Sequence, residues 1–193
     1  MPLRIFKSIL PCILEPLTHI VNLSLKTGAV PKFCKYAKVT PIFKTGDKDN
    51  VSNYRPISIL PIIAKCIEYC VNIQLTDHME HNQLFTSQQF GFRKNHSTAH
   101  AINYSVNKII NEIEKKNHVI GIFIDLSKAF DTIDHEKLLV KLENYGVRGI
   151  CLNLLRSYLL NRTQYTDFQQ THSKSCNIEY GVPQGSVLGH YFF

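Results

Sequence analysis

Apolar positions recur at helical spacing in five stretches of the chain and alternate in a few short ones. Ile13 to Lys26 reads as a helix stopped by Gly28 on its C-terminal side and by Pro31 beyond. Tyr36–Phe43 reads as a strand, with Thr45-Gly46-Asp47 supplying turn chemistry after it. Pro61 is placed to open a helix running to about Glu80, with Ile63, Ile67, Cys70, Val71 and Leu75 on one side. Ser97 or Thr98 caps a third helix whose stripe is Ile102, Val106, Ile109, Ile110 and Ile113. His118–Asp125 is rich in branched residues and is predicted as a short strand. Helices are predicted over His135–Tyr145, closed by Gly146, and over Gly149–Leu160; weak alternation afterwards predicts one or two strands before Gly181. Helices, a basic hairpin, more helices and then strands make an α+β order, not a regular βαβ repeat.

Composition narrows the class. The 193 residues are 44% apolar and 19% charged, with 9 Gly and 8 Pro, which excludes disordered, collagen-like and coiled-coil chains. The net charge is +7, and it is concentrated: Lys26 to Lys65 holds eight cations against Asp47 and Asp49, an excess of six. Such a field suits a phosphate-bearing partner, although a solvated basic face has the same composition. The apolar stretch from Ile9 to Leu25 is interrupted by Pro11, Glu15 and Pro16, so no membrane span is expected, and no small-residue cleavage site follows the first residues. The expectation is an intracellular protein, nuclear or cytoplasmic; its oligomeric state is not fixed by the sequence. Cys12, Cys34, Cys66, Cys70, Cys151 and Cys176 lack framework spacing and read as free thiols. Cys66 and Cys70 with His78 and His81 do not have zinc-finger spacing, and His96 with His100 is no better supported.

Candidate chemistry begins at Asp125, a carboxylate ending an apolar strand. By itself it is placed either to meet a ligand or to cap the next helix. The surrounding string, Ile122-Phe-Ile-Asp-Leu-Ser-Lys-Ala-Phe-Asp-Thr-Ile-Asp-His135, resembles the first catalytic motif of the reverse transcriptases of non-LTR, LINE-like retrotransposons. Three further blocks agree in order. Asn53-Tyr-Arg-Pro-Ile-Ser-Ile-Leu60, preceded by Pro41-Ile-Phe-Lys-Thr-Gly-Asp47, resembles the fingers motif. Ser87-Gln-Gln-Phe-Gly-Phe-Arg-Lys-Asn-His-Ser-Thr98 is similar to the block before the palm. Tyr180-Gly-Val-Pro-Gln-Gly-Ser-Val-Leu-Gly189 is similar to the second palm motif. Together they cover roughly Ile13 to Gly189.

The resemblance implies the fingers and part of the palm of a right-hand polymerase, with fingers and connecting helices over about 13–117 and the first part of the palm over about 118–193. It implies an RNA template, a DNA primer, dNTPs and Mg²⁺. Asp125 takes the place of the catalytic, metal-binding aspartate, joined on the metal by the Leu126 carbonyl. Lys44 and Arg55 are candidate nucleotide-binding residues, the first a point charge and the second a bidentate fork, unless they belong to a solvated loop. Phe130 takes the place of the aromatic that excludes a ribose 2′-hydroxyl, or is a core residue. Gln184 and Gly185 face the nucleotide, or form a turn. Arg93 and Lys94 touch nucleic acid backbone, or water. Lys128 and Asp131 are left without a role, and Asp134 is also placed to cap the helix near His135.

The family's next motif, an aromatic, any residue and two aspartates, has no counterpart in this sequence, which contains no Asp-Asp pair and no acid after Glu179. Nor is a thumb or an endonuclease domain expected within these 193 residues. The expectation is therefore a chain that stops before the catalytic Asp-Asp hairpin. It would be inactive on its own, or a non-catalytic relic that binds nucleic acid through its basic fingers.

Overall fold

The computed structural model describes residues 3–126 and 128–189. Helix α1 (Leu3–Thr27) begins ten residues before the predicted start and runs through Pro11 and Pro16. Each proline withdraws a backbone donor from the helix. Helix α1 lies on α5 (Ile150–Leu159), with Phe6, Val21 and Ser24 buried, and the Gly28 N–H closes the helix on the Ser24 carbonyl at 3.0 Å. Arg4–Thr27 is consequently long and apolar enough, with mean hydropathy 1.3, to cross a membrane by length and composition. The sequence reading misses this because it treats the prolines as interruptions. Core helices and leader segments have the same property, so it assigns no location.

After a 3₁₀ turn at Lys32–Lys35, strand β1 (Tyr36–Phe43) has the predicted bounds, and β2 (Tyr54–Ile59) returns antiparallel to it, with Lys38 opposite Ile59 and Phe43 opposite Tyr54. The order β2-β1-β3-β4 leaves β2 at an edge, where Pro56 is tolerated. Strand β3 (Arg162–Phe168) pairs with β1 in parallel, Tyr36 opposite Thr163; its other side pairs antiparallel with β4 (Thr171–His172) and β5 (Cys176–Ile178). The result is a mixed α and β fold with one five-stranded sheet.

The chain divides into two compact units, Met1–Leu75 with Lys128–Phe193, and Thr76–Ser127. The core of the first comes from Ala37 and Val39 of β1, Ala64 and Ile67 of α2 (Ile62–His81), Leu138, Leu139 and Leu142 of α4 (His135–Asn144), Leu155 and Leu159 of α5, and Leu188. Helix α4 begins on the predicted cap, Asp134 accepting from the Lys137 N–H at 3.1 Å.

In the second unit, α3 (Thr98–Glu114) is capped by Ser97, but its apolar stripe is exposed and none of its residues is buried. The strand predicted over His118–Asp125 does not form. Residues 118–126 are irregular and exposed, with Ile120 at 87% and Phe123 at 99%. The branched residues supply strand propensity, but a strand exists only through a ladder, and among the described residues no segment pairs with this one. A unit of 52 residues, counted from Thr76 to Ser127, also has little capacity to bury an apolar helix face and an apolar strand together.

Candidate functional site

The predicted site residues are divided between the two units. Asp125, Leu126, Arg93 and Lys94 lie in the second. Asp125 and Leu126 sit on the exposed, unpaired stretch. The Arg93 guanidinium is held within its unit: Nε and Nη2 donate to the two carboxylate oxygens of Glu80, each at 2.9 Å, and Nη1 donates to the Thr86 carbonyl at 3.3 Å. This pairing holds the Glu80 carboxyl below its usual range. The fork is thus already engaged with a carboxylate, while Lys94 is exposed.

Lys44, Arg55, Phe130, Gln184 and Gly185 lie in the first unit. The Lys44 N–H donates to the Asn53 carbonyl at 2.8 Å, extending the β1–β2 hairpin, and its side chain is exposed. Arg55 is opposite Ile42, whereas Pro56 and Ser58 are opposite Pro41 and Val39. Strand alternation therefore puts Arg55 on one face of the hairpin and Val39, Pro56 and Ser58 on the other. Val39, Pro56 and Ser58 line a cavity of about 250 Å³, with Asp131, Gln164, Tyr180 and the run Gly181 to Gln184. Arg55 does not line it.

The rim of this cavity is tightly built. The Ser58 N–H donates to the Gln184 carbonyl at 2.9 Å, joining the Pro183–Gly185 segment to β2. Gly181 donates to the Ile133 carbonyl at 2.7 Å and Val182 to the Phe130 carbonyl at 2.8 Å, laying residues 181–182 on the turn that follows Lys128. Gly181 has φ +80°, and a Cβ there would come within 2.7 Å of the Phe130 carbonyl oxygen, so only glycine fits. Buried His135 donates from Nε2 to the Gly181 carbonyl at 2.6 Å, which fixes its tautomer. Gln184 donates from Nε2 to both Asp131 carboxylate oxygens, at 2.9 and 3.1 Å. Gly185 has φ +105°, a conformation side chains strain to adopt.

Beneath the same segment is a buried polar cluster that the sequence reading did not find. Glu68, 0% exposed, accepts from the Val187 N–H at 2.7 Å and from the Tyr158 hydroxyl at 2.9 Å. Arg162, 1% exposed, stacks on the Tyr158 ring at 4.9 Å and donates from Nη1 to the Tyr158 carbonyl; its Nε and Nη2 have no partner among the described residues. Burial pushes the Glu68 carboxyl above its ordinary value, opposed by the Val187 N–H, Tyr158 and the Arg162 charge. Burial likewise pushes the nearby Cys34 thiol up to about 11, keeping it protonated. All six cysteines are free. A signal for Glu68 was present: Ala64, Ile67, Glu68, Val71 and Leu75 follow the i, i+3, i+4, i+7 spacing of a buried face.

Of the eight cations between Lys26 and Lys65, two serve the fold. Lys38 pairs with Asp167 at 2.7 Å, and Lys35 donates to the Leu160 carbonyl at 3.3 Å. Lys26, Lys32, Lys44, Lys48, Arg55 and Lys65 are exposed. Among the described residues no three His, Cys, Asp or Glu side chains gather to hold a metal ion. Mg²⁺ takes about six oxygens in octahedral geometry. Asp125 and the Leu126 carbonyl do not by themselves meet that demand, so the described residues do not build the metal site.

Residues 43–193 match the family model described as reverse transcriptase (RNA-dependent DNA polymerase). The chain is 34% identical over 177 residues, 91% of its length, to the RNA-directed DNA polymerase from mobile element jockey of Drosophila melanogaster, of which this is 19%. It is 33% identical over 180 residues to the probable RNA-directed DNA polymerase from transposon BS, and 32% over 174 residues to that from transposon X-element, both of Drosophila melanogaster. In both cases 90% of this chain and 19% of the relative are covered. The chain thus spans about a fifth of the length of these relatives. The motifs that meet at the cavity rim lie within the matched residues, and the chain belongs to the reverse transcriptase family, with the non-LTR, LINE-like elements as its relatives.

Proposed function

We propose that this chain supplies the fingers and the first part of the palm of an RNA-directed DNA polymerase, and that the cavity rim at Gln184 and Gly185 is part of its nucleotide site. The observation that carries the reading is convergence. Ser58 of the fingers motif, Asp131 of the first palm motif and Gln184 of the second are far apart in sequence and meet at one cavity, with the Phe130 carbonyl holding the Val182 N–H beside it. Phosphoryl transfer depends on positioning the nucleotide and neutralising its charge. In this reading Gln184 positions the nucleotide, Phe130 limits the sugar, and Lys44 and Arg55 carry positive charge on the hairpin. The template is RNA, the primer DNA and the substrates dNTPs.

Divalent metals supply charge neutralisation at the attacking and leaving oxygens in such reactions. Among the described residues this reading assigns Asp125 alone to a metal, and the 193 residues by themselves are assigned no primer extension. The test is extension of a DNA primer on an RNA template with Mg²⁺. It compares this chain, the chain continued through an Asp-Asp motif and thumb, and the Asp125→Asn form of the continued protein. Extension is expected from the second alone. Extension by the 193-residue chain, or activity that survives Asp125→Asn, refutes the reading. A second reading, a relic that only binds nucleic acid, is favoured by the six exposed cations; it is the one left standing if the continued protein binds RNA and extends nothing.

A further inference from the structure

The Asp131–Gln184 contact joins two side chains 53 residues apart at the cavity, and it determines which end of the Gln184 amide faces Asp131. The backbone around it is held without it: Asp131 N–H donates to the Lys128 carbonyl, Val182 N–H to Phe130, and the Gln184 carbonyl accepts from Ser58. The two side-chain bonds therefore add only the orientation of the carboxamide. That orientation is dictated by charge, because rotating the amide by half a turn would set its oxygen against the Asp131 carboxylate, acceptor to acceptor. Nε2 is drawn to Asp131 and Oε1 is turned away.

We propose that Asp131 is a positioning residue that presents Gln184 to the nucleotide as a hydrogen-bond acceptor; this rests on the nucleotide-site reading above. An acceptor selects a donor. The Oε1 end is thereby set against a donor on the nucleotide, a sugar hydroxyl or a base amine, while the second N–H of the same amide keeps its capacity to donate. The contribution assigned to Asp131 passes through the amide, and an Asp131→Asn side chain, which offers both an acceptor and a donor, would admit both orientations.

The experiment titrates the isotope-labelled 193-residue chain with dATP, following the Gln184 side-chain amide resonances and the dATP dissociation constant. It compares the parent with Asp131→Ala, Asp131→Asn, Gln184→Ala and the double Ala variant. In the parent the Gln184 amide protons are expected to be shifted and slowed in exchange, and in Asp131→Ala to collapse to free-amide values. One hydrogen bond supports a weakening of dATP binding by about 3- to 10-fold for Asp131→Ala and for Gln184→Ala. The double variant should be no weaker than either single one, and Asp131→Asn should recover part of the loss. The 3′-deoxy analogue ddATP separates the two donors: insensitivity to Gln184→Ala with ddATP assigns the sugar hydroxyl, and an undiminished effect assigns the base amine. Asp131 is exposed, so melting temperatures should match the parent. If Asp131→Ala binds dATP as the parent does, or the two losses multiply in the double variant, the assignment is overturned while the nucleotide site stands. If the parent binds no dATP, the nucleotide-site reading falls and this assignment with it.

Discussion

Replacing Glu68 by Ala strands three groups at once. The Tyr158 hydroxyl loses its acceptor at 2.9 Å, the Val187 N–H loses its own at 2.7 Å, and the Arg162 guanidinium, already short of partners at Nε and Nη2, loses a counter-charge that acts on it. A buried donor left unpaired costs about 1–3 kcal/mol, and removing one member of a buried charged cluster costs about 3–5 kcal/mol. We expect about 3–5 kcal/mol for Glu68→Ala, measured by urea denaturation, which is a large share of a typical domain's stability. Tyr158→Phe, which removes one donor together with the acceptor's need for it, should cost about 1 kcal/mol. The pH dependence is set by the sign of the shift. Because the folded protein raises the Glu68 pKa above its ordinary 4.5, it binds that proton more tightly than the unfolded chain does. The stability so contributed is complete below about pH 4.5 and is lost as pH rises through the raised folded value. The gap between parent and Glu68→Ala should therefore be widest in acid. A gap below about 1 kcal/mol, or one that widens with rising pH, would refute the account of Glu68 as a buried, desolvation-dominated acceptor.

Replacing Lys44 and Arg55 by Ala should weaken RNA binding and lower the slope of log affinity against log salt by roughly one per cation removed, as read in a salt titration; unchanged binding at every salt concentration would remove the hairpin from the interface. Gly181→Ala should cost about 1–3 kcal/mol in a denaturant titration, because the added Cβ meets the Phe130 carbonyl oxygen at 2.7 Å and the residue must hold φ +80°; a neutral result would mean that residues 181–182 do not lie on the Phe130 turn.

How much of the fold is legible in the sequence depends on the range of the interactions involved. Strand β1 and the start of α4 are local matters of alternation, turn residues and a capping aspartate, and the structure keeps Tyr36–Phe43 and Asp134 where the pattern puts them. The same local reasoning assigns a strand to His118–Asp125, because β-branched residues declare a preference while saying nothing of a partner. It also starts α1 too late, since the penalty of Pro11 and Pro16 is local but the burial of Phe6 at the start of the helix is a tertiary effect. Glu68 is passed over as a polar residue within an apolar stripe, although its phase on the helix is that of the buried face. At the site, the motifs that carry Asp131 and Gln184 are recognisable as separate strings. Their hydrogen bond, and the placement of Arg55 on the face opposite Ser58, depend on strand register and on a contact across 53 residues. Neither can be read from spacing.

The parallel pairing of β1 with β3 has a consequence for how the chain is made. Tyr36 and its partner Thr163 are separated by 127 residues, with the whole Thr76–Ser127 unit between them. The β1–β2 hairpin can close as soon as Ile59 has left the ribosome. At about 5–20 residues per second, the inner edge of β1 then waits roughly 5–20 s for the segment that will cover it. During that interval Ala37 and Val39 have no helix or strand from the second half of their own unit, and an open strand edge is a template for any neighbouring chain. Closing so long a loop is also slow relative to local structure, because its entropy is lost before the contacts form. Shortening that interval should limit pairing of the open edge with other chains, so yield on expression should rise when elongation through residues 60–160 is fast.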